Sequence, residues 1–222
     1  MRVFMDLEFT GLHQNTTIIS LGAVCEGEAH PDNEFYAEMR DYDDKQVQSD
    51  AFLKEEVLPK LLWAIDESMW QETIVRTELK DRLEAWLYQI YQKDGQPVEI
   101  WLDVYAYDWM LFCELWGGAM HVPRWIDYIP RDLATLLAMR GYDPDVNREE
   151  LADMPKSPHP EQAQHNALND ALVIEACYMR LMEELDHQVG VDPPPPETLP
   201  TENNGALHPK VATPPETPET PE

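Results

Sequence analysis

Basic residues are scarce in this 222-residue chain: 16 Lys and Arg stand against 43 Asp and Glu, a formal charge of −27. That balance excludes a conventional basic protein that coats nucleic acid. Cysteine is scarcer still. Cys25, Cys113 and Cys177 are odd in number, far apart and never in a C-x-x-C pair, so neither a zinc ribbon nor thiol redox chemistry is expected. A reducing compartment suits them. Long apolar runs are missing as well, since no stretch of about 18 uninterrupted apolar residues occurs. The chain opens as Met1-Arg2-Val3-Phe4-Met5-Asp6, which does not read as the longer apolar run and small-residue cleavage site of a secretory signal. The expectation is a soluble, cytoplasmic protein with no membrane contact.

What is present suffices for one domain of ordinary size, because 43% of the residues are hydrophobic. From Val191 onward the composition changes, and this last stretch holds 10 of the 19 prolines, including four in a row at Pro193 to Pro196. Few apolar side chains and few amide donors leave burial unable to offset the entropy of ordering it. We therefore expect a folded domain over 1–190 and a disordered, Pro-rich acidic tail over 191–222. Setting the tail aside leaves −22 on the domain, so the body itself is acidic.

Periodicity outlines the domain. Residues 2–9 alternate Val3, Met5, Leu7 and Phe9 with Phe4, Asp6 and Glu8, which predicts a strand. Residues 17–25 and 33–39 are two further β-rich runs, and three strands in succession suggest an antiparallel meander. Helical spacing follows over 51–62 and over 76–91, the latter closed by Asp94-Gly95. A fourth strand is expected over 98–104, a helix over 107–116, a short fifth strand over 125–129, a helix over 131–140 and a long last helix over 163–185. This order fits a mixed α/β sheet covered by helices.

Three short patterns carry chemistry. Asp6 and Glu8 are two residues apart in a strand, so their carboxylates leave the same face. Burying both charged in an apolar strand is expensive unless a positive partner compensates them. Asp108 opens the helix beyond the fourth strand. Asp103 is a competitor, but the expected strand run includes it and directs it elsewhere. The third pattern is His165-x4-Asp170 at the start of the last helix, where a little more than one turn separates the two side chains.

Asp6-Leu-Glu8, then Tyr107-Asp108, then His165-x4-Asp170 together resemble the three motifs of the DEDDh group of the DnaQ-like 3′-to-5′ exonuclease superfamily. The resemblance covers residues 1 to about 186, and the first motif also resembles that of oligoribonucleases. Residues 106–117, AYDWMLFCELWG, and residues 57–61, VLPKL, are similar to the RNase AS type of exoribonuclease. That resemblance implies a ribonuclease H-like mixed sheet flanked by helices, a homodimer, a magnesium requirement and a preference for adenylate-rich 3′ ends. Thr10-Gly11-Leu12 and Trp109 depart from the pattern and bear on base preference more than on hydrolysis.

Phosphodiester hydrolysis requires an activated water, neutralised phosphoryl oxygens and a stabilised leaving oxygen, which two divalent ions about 4 Å apart can supply. Mg2+ or Mn2+ prefers hard oxygen ligands. Asp6, Glu8, Asp108 and Asp170 are therefore assigned as metal ligands, and all four with His165 as the catalytic set. A neutral imidazole near pH 7 suits His165 to a general-base role. By resemblance, Phe9 and Leu12 touch the terminal base or sugar and Thr10 meets the 3′-hydroxyl. Trp109, beside Asp108, is a candidate for base stacking. Fifteen basic residues in the body cannot neutralise a long polyanion, so the expected substrate is a short single-stranded RNA 3′ end, with Arg124, Arg131, Arg140, Arg148 and Lys156 rimming the entrance. Two rivals stand beside this reading: a 3′-to-5′ DNA exonuclease of the same superfamily, and a catalytically silent nucleic-acid-binding scaffold.

Overall fold

Strand β1 (Arg2–Phe9) is buried on both faces, and its alternation divides the core in two. A computed structural model of the chain describes residues 1–27, 31–154 and 164–189. The tail predicted over 191–222 lies outside the described residues. Strand β1 pairs antiparallel with β2 (Ile18–Cys25), which pairs antiparallel with β3 (Glu34–Glu38). On its other edge β1 runs parallel to β4 (Glu99–Leu102), and β4 parallel to β5 (Arg131–Asp132). The sheet order is β3-β2-β1-β4-β5, a five-stranded mixed sheet flanked by helices.

Helix α1 (Asp44–Ser49) begins where the Asp43 carboxylate accepts the N–H groups of Lys45 and Gln46. It is followed by α2 (Leu62–Ile65), α3 (Arg76–Asp94), α4 (Tyr105–Glu114), α5 (Leu133–Met139), α6 (Arg148–Leu151) and α7 (Ala167–Val189). On one face of β1, Val3, Met5 and Leu7 meet Leu79, Leu83, Leu87 and Ile90 of α3 and Leu111 and Phe112 of α4. On the other, Phe4 meets Leu133 and Leu137 of α5 and Ile174, Cys177 and Leu181 of α7. Burying each such side chain contributes roughly 1.5–3 kcal/mol. By the period-2 rule Asp6 and Glu8 share the face of Phe4, the side that α7 covers. All three cysteines are free and buried. Among the described residues no helix is long and apolar enough to cross a membrane.

Three expectations need correction. The helix predicted over 51–62 is broken into a π-helical turn at Leu53–Val57 and a 3-10 turn at Leu58–Lys60. Pro59 cannot donate to a continuing α-helix, and Leu53, Val57 and Leu61 anchor the turns by packing with Ile19 and Val47. The fifth strand falls at Arg131–Asp132 instead of 125–129, because the Asp127 carboxylate takes the N–H of Ile129 and turns the chain there. Only an isolated bridge between Val98 and Ile126 remains of the expected pairing. Finally, β4 ends at Leu102, so Asp103 is outside the strand.

Candidate active site

Glycine at position 22 sets the geometry of the site. Gly22 pairs with Asp6 across the β1–β2 ladder, and the start of α7 lies directly on it. A Cβ built there would stand 2.2 Å from the carbonyl carbon of Ala167 and from the nitrogen of Leu168. Only glycine lets the first turn of α7 come this close to β2. Asp170, in that first turn, is thereby brought over the Asp6 and Glu8 side of β1.

A cavity of about 940 Å³ opens at this junction, lined by Asp6, Glu8, Asp108, His165 and Asp170 among others. The structure thus brings together the five residues nominated as catalytic. All are partly buried. The Asp108 carboxylate accepts the Leu7 N–H at 3.0 Å, which ties α4 to β1. Asp170 accepts the His165 N–H at 2.9 Å, closing a turn in which His165 adopts the left-handed conformation with φ 68°. The imidazole meets the Phe52 ring edge-on at 4.9 Å.

Burial, with other acids close by, raises the proton affinity of the four carboxylates. Desolvation, reinforced by Asp170, Asp108, Glu8 and Asp103, holds the Asp6 pKa well above the usual carboxylate range. Burial, with Asp170 and Asp108, pushes Glu8 up to about 8. Burial raises Asp108 to about 7 against the opposing Leu7 N–H, and Asp170 to about 7 against the His165 N–H. His165 is displaced the other way, its pKa lowered chiefly by burial. Such a cluster fits a hard divalent cation, which would relieve the repulsion and restore the charged forms. The tightest donor set among the described residues is Glu8, His165 and Asp170, whose ligand atoms lie within 4.8 Å of one another. Asp6 and Asp108 stand outside that close trio.

The nominated substrate residues divide. Phe9 and Leu12 line the cavity, with Phe9 stacked on Tyr107 at 5.8 Å and the Tyr107 hydroxyl donating to the Leu12 carbonyl at 3.0 Å. Leu12 is 73% exposed. Thr10 is buried, and its hydroxyl is engaged by Gln46, Thr16 and Thr17. Trp109 stacks on Phe112 at 5.2 Å and packs against the core. Neither Thr10 nor Trp109 is among the residues lining the cavity. The predicted basic rim also differs. Of the four that are described, Arg148 alone lines the cavity, and its guanidinium is occupied by Asp103 at 2.9 Å and by the Val146 and Pro144 carbonyls. Arg131 pairs with Asp127, and Lys156 lies outside the described residues.

Asp103 and Phe52 also line the cavity; the sequence offers Asp103 only as a competitor of Asp108, directed elsewhere, and does not single out Phe52. For Asp103 the cause was the overlong strand, since alternation says nothing about a residue beyond the strand's end. Phe52 had no local signal, because its segment read as an ordinary helix.

A mixed α/β sheet with a carboxylate cluster and an imidazole at one end of its central strand suits the chemistry of a phosphoester-cleaving hydrolase. Residues 1–182 match the family model described as the 3′-5′ exoribonuclease Rv2179c-like domain. The chain belongs to this 3′-5′ exoribonuclease family. It is similar to two proteins of Mycobacterium tuberculosis, 3′-5′ exoribonuclease Rv2179c of strain H37Rv and 3′-5′ exoribonuclease MT2234.1 of strain CDC 1551. Each is 30% identical over 172 residues, covering 77% of this chain and 87% of the relative.

Proposed function

We propose that the chain removes 5′-mononucleotides one at a time from the 3′ end of single-stranded RNA, with a divalent cation and with His165 as general base. The observation carrying this reading is the convergence of Asp6, Glu8, Asp108, His165 and Asp170 on one cavity. Membership of the family supplies the RNA preference. The sheet order, three antiparallel strands followed by two parallel ones, supports a ribonuclease H-like fold of the DEDDh type.

Asp6, Glu8, Asp108 and Asp170 would hold Mg2+ or Mn2+, as two ions in the full site. When bound, such ions neutralise charge on the phosphoryl group and stabilise the departing 3′-oxygen. The imidazole of His165, kept neutral near pH 7 by burial, accepts the proton of the attacking water at a ring nitrogen. The Phe52 edge limits its movement, and the His165 N–H restrains the Asp170 carboxylate beside it. Phe9 and Leu12 present an apolar surface to the terminal base or sugar, held in place by Tyr107. Arg148 is already paired, so it does not compete for the phosphate and instead fixes the 144–148 wall. Similarity to the RNase AS type adds a homodimeric assembly and a preference for adenylate-rich ends, and the three free cysteines suit a cytoplasmic location.

Digestion of 5′-labelled RNA and DNA oligonucleotides of one sequence, with magnesium and with chelator, tests the proposal. We expect a single-nucleotide ladder from the RNA 3′ end, slower removal from DNA and no cleavage with chelator. Faster loss from DNA would transfer the assignment to a DNA exonuclease, and internal fragments would reject an exonuclease altogether.

A further inference from the structure

Asn166 is 3% exposed, although it follows His165 directly and precedes a helix whose first turn borders the cavity. It is absent from the cavity lining, so it has no route to a substrate. Its three polar contacts instead join three separate pieces of the fold. The Oδ1 atom accepts the Asn169 N–H at 3.2 Å, capping α7. The Nδ2 atom donates to the Tyr36 hydroxyl of β3 and to the Lys60 carbonyl of the 3-10 turn, each at 3.2 Å. The Tyr36 hydroxyl then donates to Glu38 at 2.7 Å, and Glu38 accepts the N–H groups of Leu62 and Trp63.

A cap alone requires only an acceptor, a role that serine fills equally well. The two additional donor bonds have another effect: they lock the entry to α7 against the β3 edge and the 58–60 turn. His165 sits immediately before this lock in a left-handed backbone that a non-glycine residue adopts at a cost, held by its bond to Asp170. The Asn166 carbonyl also receives the Asp170 N–H at 2.9 Å. Both site residues of the third motif are thus one bond away from Asn166. The clearance over Gly22 works in the same sense, setting how deep α7 sits while Asn166 sets its lateral position.

We propose that Asn166 is a positioning residue: through Tyr36 and the Lys60 carbonyl it fixes where His165 and Asp170 stand over Asp6 and Glu8. The role rests on the functional reading above. Four full-length proteins test it, the parent, Asn166→Ser, Tyr36→Phe and the double variant, each measured for kcat and KM on a short RNA with magnesium, for melting temperature and for hydrogen exchange at the His165 amide by NMR. Asn166→Ser retains the cap but cannot supply both donors. Its kcat should fall roughly tenfold with KM within about twofold of the parent, and His165 amide protection should fall by a similar factor. Tyr36→Phe should lose about threefold in kcat, and the double variant should be no slower than Asn166→Ser, because Tyr36 acts on the site through its bond to Asn166. Parental kcat and parental protection in Asn166→Ser would overturn the proposal, as would a rise in KM with kcat unchanged or fully additive losses. If Asn166→Ser does not fold, Tyr36→Phe decides by the same two readouts. A parent that cleaves no RNA would sink the functional reading alone, and the exchange data would still decide the tether.

Discussion

Asp6 and Glu8 share a problem that no side chain among the described residues solves: they are buried beside Asp108 and Asp170 with no described basic partner close enough to keep their pKa values down. Glu8 near 8, and Asp108 and Asp170 near 7, lie above the ~4 of an unfolded carboxylate. Between those limits the folded chain binds protons that the unfolded chain has released. Stability falls where the unfolded state binds fewer protons, so without a cation it declines as pH rises from about 4 to about 8. In chelator the melting temperature should drop by about 5 °C or more between pH 5.5 and 8.5, and magnesium at pH 8.5 should recover most of it. Asp6→Asn should flatten that decline in chelator while lowering turnover about a thousandfold or more. Identical melting profiles with and without magnesium would contradict the cation site. These acids were legible in the sequence because strand alternation alone puts Asp6 and Glu8 on one side. Asn166 was not, since its significance lies in Tyr36 and Lys60, which stand 130 and 106 residues away.

Helix α7 and strand β2 make the closest approach that shapes the site, and a single missing methyl group allows it. Gly22→Ala would place a carbon 2.2 Å from two backbone atoms of α7, and a backbone cannot yield as the end of a side chain can. We expect a loss of about 3 kcal/mol or more in denaturant unfolding, together with loss of turnover, as α7 lifts Asp170 and His165 from β1. Gly141→Ala is the matching control. Its φ of 82° makes the substitution strained by about 1 kcal/mol, but its Cβ would meet nothing within 4 Å and it is not in the cavity lining, so kcat should hold. Equal damage from both would mean that Gly22 matters for conformation generally and not for the seating of α7. At this scale the strands and long helices were readable where one period persisted, as in β1 and in α3, which ends at Gly95 as expected. The 51–62 stretch was not, because its buried Leu53, Val57 and Leu61 keep a four-residue spacing that looks helical while Pro59 and the packing on Ile19 force tighter and wider turns. Position 22 read only as a glycine in a strand, and nothing local announced a helix on top of it.

The molecule as a whole carries its negative charge into the place where a polyanion must enter. Eight acids line the cavity against His165 and an Arg148 already bound to Asp103. Free cationic side chains at the entrance would each release a counterion from RNA on binding, and each would add to the steepness with which affinity falls with salt. With Arg148 occupied and Arg131 held by Asp127, few such contacts are available near the site among the described residues. On the proposed function, hold on substrate would then depend on the terminal nucleotide, the apolar wall at Phe9 and Leu12, and the cations that the carboxylates would gather. At fixed magnesium, a plot of log kcat/KM against log monovalent salt should slope by less than about 2, and lengthening the RNA beyond a few nucleotides should hardly change it. Arg148→Gln probes the same point from the opposite direction: it should leave the salt slope unaltered, since the guanidinium serves Asp103, while lowering stability by leaving that acid unpaired. A slope that steepens with RNA length would show an extended basic track beyond the cavity, and the short-end mode of recognition would have to be given up.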